Sequence, residues 1–377
     1  FRVVSRTVAM STIDPTKKLG LCLFGGGITG AMYEVGVLAA LEDSFDDFRA
    51  ADFDVFVGAS SGAVVAAALA GGLTAQRMYR ALLDPADDFF PLQRNHLLRF
   101  DGREILRVST STVGALRKMI GSVASKPLEI DLWNEIDRFY DSLPAGFFST
   151  EPFEKFLSDV FRRRSIPETF DEFEKNLIII ASDLDRGEPV FFSKNGTLMA
   201  PVTKAVAASC AAPMLYAPVR IDDRDLIGAN SSESDHVSIA VEHGCQTVLL
   251  INPLVPIRTD TAIKDVPTGH GQKRRIRDKG LLWVYNQNWR VVSNARLRRG
   301  LRTYRAEHPE INISLIEPES DDATMFLHSP MNFAARREIL EHAYKTTVQR
   351  LQNPQSTLRA SLIEAGLHPN DSLIGTN

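Results

Sequence analysis

The sequence predicts an α/β fold: a mostly parallel sheet sandwiched by helices, followed by a helical C-terminal part. Three observations predict it. Across residues 15–255, β-branched apolar runs of strand length alternate with helical stretches, the pattern of strands buried on both faces. Glycine clusters directly follow the first two runs, where such a sheet turns from strand into helix. Beyond Pro256 the apolar spacing becomes that of long helices.

The elements follow in order. Residues 19–24 (LGLCLF) read as a buried strand, and 31–42 as a helix with Met32, Val35, Leu38 and Leu41 on one face. Residues 53–57 (FDVFV) form the second strand, and a helix begins near Ser61. A mostly helical insertion spans about 86–167. Strands are then expected at 176–180, 189–193, 215–221 and 246–252, with helices at 202–209 and 234–243 between them. These segments make one α/β domain, 15–255. Region 256–377 is mainly helical, with a long helix at 281–304, a strand at 312–316 and a closing helix at 332–352.

At 377 residues, 44% hydrophobic and 24% charged, the chain can bury a large core and has a globular composition. Its longest apolar runs, such as AVVAAALAGG at 63–72, are too short to cross a bilayer. No signal peptide is seen, so the expected location is cytoplasmic or peripheral to a membrane. Cys22, Cys210 and Cys245 stand far apart without metal-ligand spacing, so no metal and no cofactor is expected. The net charge of −4 is uneven: residues 272–305 carry eleven Lys or Arg against Asp278 alone, a surface suited to an anion.

Two glycine clusters carry the chemistry. Gly25 to Gly30 (GGGITG) fits G-x-G-x-x-G, but the second strand lacks the terminal acid that a dinucleotide ribose needs. A P-loop fails too, because Ala31 and Met32 stand where Lys and Ser/Thr belong. The second cluster, Gly58-Ala59-Ser60-Ser61-Gly62, is G-x-S-x-G. Gly58 and Gly62 permit the tight strand-to-helix turn that projects the Ser60 hydroxyl outward. Taken alone, it is matched evenly by a glycine turn with an incidental serine. Adjacent parallel strands bring both clusters to one crevice, where the glycine amides can face a developing oxyanion. None of His96, His236, His243, His270, His308, His328, His342 and His368 stands in an evident strand-end loop, so a Ser-His-Asp triad loses.

With GGGITG at Gly25, GASSG at Gly58 and AVAASCAAPMLYAPVRI from Ala205, the chain resembles the patatin-like phospholipase family over roughly residues 18–254. The resemblance implies metal-independent hydrolysis of acyl-lipid esters by a Ser–Asp dyad without histidine. It also implies an acyl-enzyme on Ser60, with Gly25, Gly26 and Gly27 as the oxyanion loop. The family's acid lies in a D-G-[AG] turn, whereas this chain reads Ile227-Gly228-Ala229. Three explanations compete: a lipid-binding protein without the acid, substitution by Asp225, or an aspartate omitted between Ile227 and Gly228. The omission is favoured, Asp225 being a poor substitute. It predicts a backbone break, since bonded residues place their Cα atoms about 3.8 Å apart.

The expected partner is an acyl-lipid substrate, with peripheral contact to a membrane or micelle surface. Residues 103–126 fit a basic amphipathic helix, although packing on the core ranks ahead of lipid contact. Phe89, in FFPL, is better read as buried than as a membrane wedge. In 272–305, where Trp283, Tyr285 and Trp289 interleave with basic residues, a solvated face ranks first, lipid head groups second and nucleic acid a distant third.

Overall fold

Strands that are apolar on every residue must be covered on both faces, and the central strands here are. In a computed structural model, which describes residues 18–84, 86–100, 144–228, 233–258, 266–267 and 273–374, they form one eight-stranded sheet. β1 (Lys18–Leu23), β2 (Val55–Ala59) and β3 (Asn176–Asp183) lie side by side and parallel. On the other side of β1, β7 (Cys245–Ile251) and β8 (Asn312–Ile316) continue the parallel set. Residues beyond 256 are thus built into the same sheet as the first strand. β4 (Glu188–Phe192), β5 (Val219–Ile221) and β6 (Arg224–Gly228) add antiparallel pairing around β3.

Alternation along each strand splits the interior in two. Leu21, Leu23, Phe56, Ile179 and Leu249 pack against α1 (Gly27–Ser44), α2 (Ser61–Ala70), α4 (Val202–Cys210) and α7 (Arg336–Gln352). Cys22, Val57, Ile178 and Leu250 face α5 (Glu233–Glu242) and α6 (Leu281–Glu307) through Val237, Ala240, Leu297 and Leu301. Each fully buried leucine in these layers contributes roughly 1.5–3 kcal/mol. The α/β sandwich read from the sequence is the architecture observed.

Some expectations need correction. The strand expected at 215–221 is split into Met214–Tyr216 and Val219–Ile221. Pro218 lies in the gap and has no N–H to give a ladder. Of the insertion, residues 101–143 and hence the expected 103–126 helix lie outside the described residues. Its described part is not helical throughout: Gly146–Ser149 joins Arg99–Phe100 and Met214–Tyr216 in a small sheet beside α3 (Glu151–Arg163). Phe89 is buried, its ring beneath the guanidinium groups of Arg77 and Arg164 at 4.0 and 4.3 Å. Among the described residues, no helix is long and apolar enough to cross a membrane.

Candidate active site

β2 is buried through Ala59 and α2 begins at Ser61, so Ser60 alone turns the chain from strand to helix. It does so at φ 53° and ψ −133°, a conformation that residues with a Cβ rarely adopt. Such strain persists only where the surroundings enforce it. Here Ser60 N–H donates to Ser209 Oγ at 2.7 Å, and that hydroxyl donates onward to Ile180 O at 2.6 Å. Ser209, on α4, thereby ties the turn to the neighbouring strand. A serine at a helix N-cap ordinarily uses its oxygen to accept from the first-turn amides. Ser60 makes no such capping bond and is half-buried.

The glycine loop after β1 closes on this turn. A Cβ on Gly25 would lie 2.5 Å from Ala59 O and 2.9 Å from the amide nitrogens of Ser61 and Gly62. One on Gly62 would lie 2.5 Å from Leu23 O and 2.8 Å from Gly25 N. The two turns therefore touch backbone to backbone, which only glycine permits. Gly58 serves α2 in the same way, its missing Cβ leaving room for Ala63 Cα at 2.7 Å. The structure brings Ser60, Gly25, Gly26, Gly27, Gly58 and Gly62 together at the carboxyl ends of β1 and β2.

The three loop amides are not equivalent. Gly25 N–H donates to Glu34 Oε1 at 2.7 Å, so it is turned inward and unavailable to a ligand. This corrects the expectation that Gly25, Gly26 and Gly27 all serve as oxyanion donors. Gly26 and Gly27 N–H have no acceptor among the described residues, whereas Thr29 N–H is taken by Pro330 O at 3.2 Å. Leu254 and Pro330, from the second half of the chain, wall the loop: their atoms stand 3.0 and 2.6 Å from where a Cβ would lie on Gly26 and Gly27.

Glu34, fully buried on α1, supports the loop from below, and its Oε2 has no hydrogen-bond partner. Burial pushes its carboxyl up to about 8, with the amides of Gly25 and Phe24 pulling the other way. Sequence reasoning missed Glu34, Ser209 and Pro330. Only Glu34 carried a signal, an acid in a helix whose neighbouring residues are otherwise apolar.

The other wall comes from β6. Ile179 and Ile180 of β3 pair with both β2 and β4, so those strands lie on opposite edges. Ala181 to Asp183 pair with both β4 and β6, so β6 shares the edge of β2. Ala59 faces Ile180 and Gly228 faces Ala181, so β2 and β6 run head-on and end at adjacent positions. Gly228 N–H donates to Ala211 O at 2.8 Å, and a Cβ there would lie 2.9 Å from Ser209 O. The turn after β6 thus starts beside the residue that holds the Ser60 amide.

The residue before Gly228 is not a carboxylate. Ile227 and Gly228 are consecutive in one unbroken ladder, opposite Ser182 and Ala181. An aliphatic residue, Ile227, thus stands directly before the glycine, where the family pattern has its acid. Asp225 is no substitute. It pairs with Arg220 on β5, its Oδ2 2.7 Å from the guanidinium, at the far end of the hairpin from Gly228. Nor, among the described residues, is a histidine bonded to Ser60. His96 stacks on Phe156, His236 packs on Phe24, and His243 meets Ile239 O. His308, His328, His342 and His368 face Glu310, Glu338, Asp322 and Asp47, and His270 lies outside the described residues.

Comparison with known proteins places residues 21–230 in the patatin-like phospholipase family. An uncharacterized protein of Bacillus subtilis, YqhO, is 27% identical over 204 residues, 52% of this chain and 56% of its own length. A cGAMP-activated phospholipase of Escherichia coli is 23% identical over 224 residues, 55% of this chain and 50% of its own. The chain spans about half the length of these curated relatives. Among solved structures, VipD of Legionella pneumophila matches at 13% identity and TM-score 0.34, over 96% of this chain and 73% of that one. The type III effector ExoU matches at 16% identity and TM-score 0.32, over 94% and 55%.

Proposed function

We propose a function from one premise: this chain belongs to the patatin-like phospholipase family. On our reading it hydrolyses carboxylic esters of phospholipids or related acyl lipids, with Ser60 as nucleophile. Ser60 Oγ attacks the acyl carbonyl, and Gly26 and Gly27 amides receive the developing oxyanion. The acyl group passes to Ser60, the alcohol leaves, and water releases the fatty acid. The observation that carries this is the strained, uncapped Ser60 turn in backbone contact with the glycine loop.

The serine proton needs an acceptor. The turn after Gly228 begins beside the Ser60 support, and the first carboxylates along the chain from there are Glu233 and Asp235, in the first turn of α5. A lipid surface is the natural setting. The start of α6 exposes Leu281, Leu282 and Tyr285, next to Lys279, whose ammonium lies over Trp283 at 3.4 Å. An apolar face rimmed by cations suits the boundary between head groups and acyl chains.

A second reading, a catalytically silent lipid-binding protein of the same fold, is favoured by Ile227 at the place of the family's acid. Turnover of phosphatidylcholine vesicles separates the two. The first reading expects fatty-acid release from the wild type and a fall on the order of 10⁴-fold or more in Ser60→Ala. Absence of release by the wild type, with vesicle binding retained, selects the second.

A further inference from the structure

The basic stretch in residues 272–305 is not absorbed by the reaction, and its second half lines a cavity of about 890 Å³ away from Ser60. The walls are α6, the open edge of β8, the end of α7 and α8 (Thr357–Glu364). Arg298, Arg302 and Arg305 stand at i, i+4 and i+7 on α6, so they share one helix face, and Arg350 enters from α7. Like charges at that spacing repel one another unless something neutralises them.

The carboxylates present do not suffice. Glu317 is occupied by the side chains of Asn252, Asn294 and Arg298. Arg305 bonds the neutral carbonyl of Ile313 at 2.8 Å and Arg350 that of Glu317 at 2.9 Å. Both guanidinium groups are therefore drawn onto the cavity wall, and each has further N–H donors. Arg302 has no ion-pair partner among the described residues. Glu319 is the one other acid among the described lining residues. Ser314 and Ser361 bond each other at 2.5 Å across the floor, and whichever accepts retains a hydroxyl proton to donate.

We propose that this cavity is an anion site for a phosphate-bearing small molecule, held by Arg302, Arg305 and Arg350 with the Ser314–Ser361 hydroxyl pair. Phosphate matches the fork geometry of arginine and offers more than one negative charge. The volume is that of small-molecule sites rather than of a surface groove for a polymer. The site is separate from the Ser60 crevice, so it stands or falls independently of the catalytic reading.

The test has two arms, both on the full chain at low salt. In the first, pyrophosphate is titrated by calorimetry. In the second, sedimentation with phosphatidylcholine vesicles is measured with and without phosphatidic acid. Saturable one-to-one binding of pyrophosphate indicates a soluble phosphate ligand, and retention that requires phosphatidic acid indicates a lipid head group. In either case Arg302→Glu should weaken binding about ten-fold or more. Ser60→Ala should bind as the wild type does. Arg302 is exposed and makes no hydrogen bond or ion pair among the described residues, and a circular-dichroism melt of Arg302→Glu verifies that it folds. Binding in neither arm, or binding that a folded Arg302→Glu variant retains in full, overturns the proposal.

Discussion

The two walls of the crevice differ in kind. On the Ser60 side, strain, backbone contact and hydrogen bonds converge on one turn: the φ of Ser60 is positive, its amide is held by Ser209, and its neighbours leave no room for a Cβ. On the acid side, β6 delivers its turn to the matching place, yet the residue before the glycine is a buried isoleucine. The two backbone turns that the proposed dyad would use are both present, and the side chain before Gly228 is not an acid. Backbone geometry depends on many residues at once, so it survives a change at one position. A proton acceptor does not.

The comparison breaks most visibly if a carboxylate after Gly228 does the work of the missing one. Glu233→Gln together with Asp235→Asn should then lower esterase turnover by about 10²- to 10⁴-fold, the usual worth of a general base, with KM little changed. Unchanged kcat on a soluble short-chain ester would move the base elsewhere. The next effect lies on the nucleophile side. Ser209→Ala removes the partner of both the Ser60 amide and Ile180 O, and should cost about 1–3 kcal/mol in chemical denaturation. It should also slow turnover, because the strained turn loses its tether; a rate equal to wild type would show that the tether is dispensable.

The smallest effect concerns Glu34. Its folded-state carboxyl is raised to about 8 from an ordinary 4.5, so the folded state holds the proton that the unfolded chain has already released. Its contribution to stability is therefore full below about pH 4.5 and declines as pH rises to about 8. Glu34→Gln keeps an acceptor for Gly25 N–H and cannot ionise, so denaturation midpoints of the variant should vary less between pH 5 and 8. Parallel pH profiles for wild type and variant would remove Glu34 as the cause.

Much of this was legible in the sequence, for identifiable reasons. The strands 19–24, 53–57 and 246–252 were visible because burial on both faces demands continuous apolar residues. Ser60 and the glycines were visible because tight turns restrict residue type. The inward-turned Gly25 amide was not, since it depends on Glu34 nine residues away reaching back under the loop. Pro330 was not either, being brought to the loop by tertiary packing across some three hundred residues. The strand break at Pro218 could have been read from its missing N–H. The departure at Ile227 was legible too, as an aliphatic residue standing where the family pattern has an acid.

The central claim is that Ser60 Oγ is an activated nucleophile facing the Gly26 and Gly27 amides. A fluorophosphonate probe followed by peptide mass spectrometry tests it most directly, because the probe needs both an activated hydroxyl and a place for its oxyanion. The account predicts one adduct per chain, on the peptide containing Ser60, and none in Ser60→Ala. A folded wild-type chain left unlabelled, or labelled equally in Ser60→Ala, would contradict it.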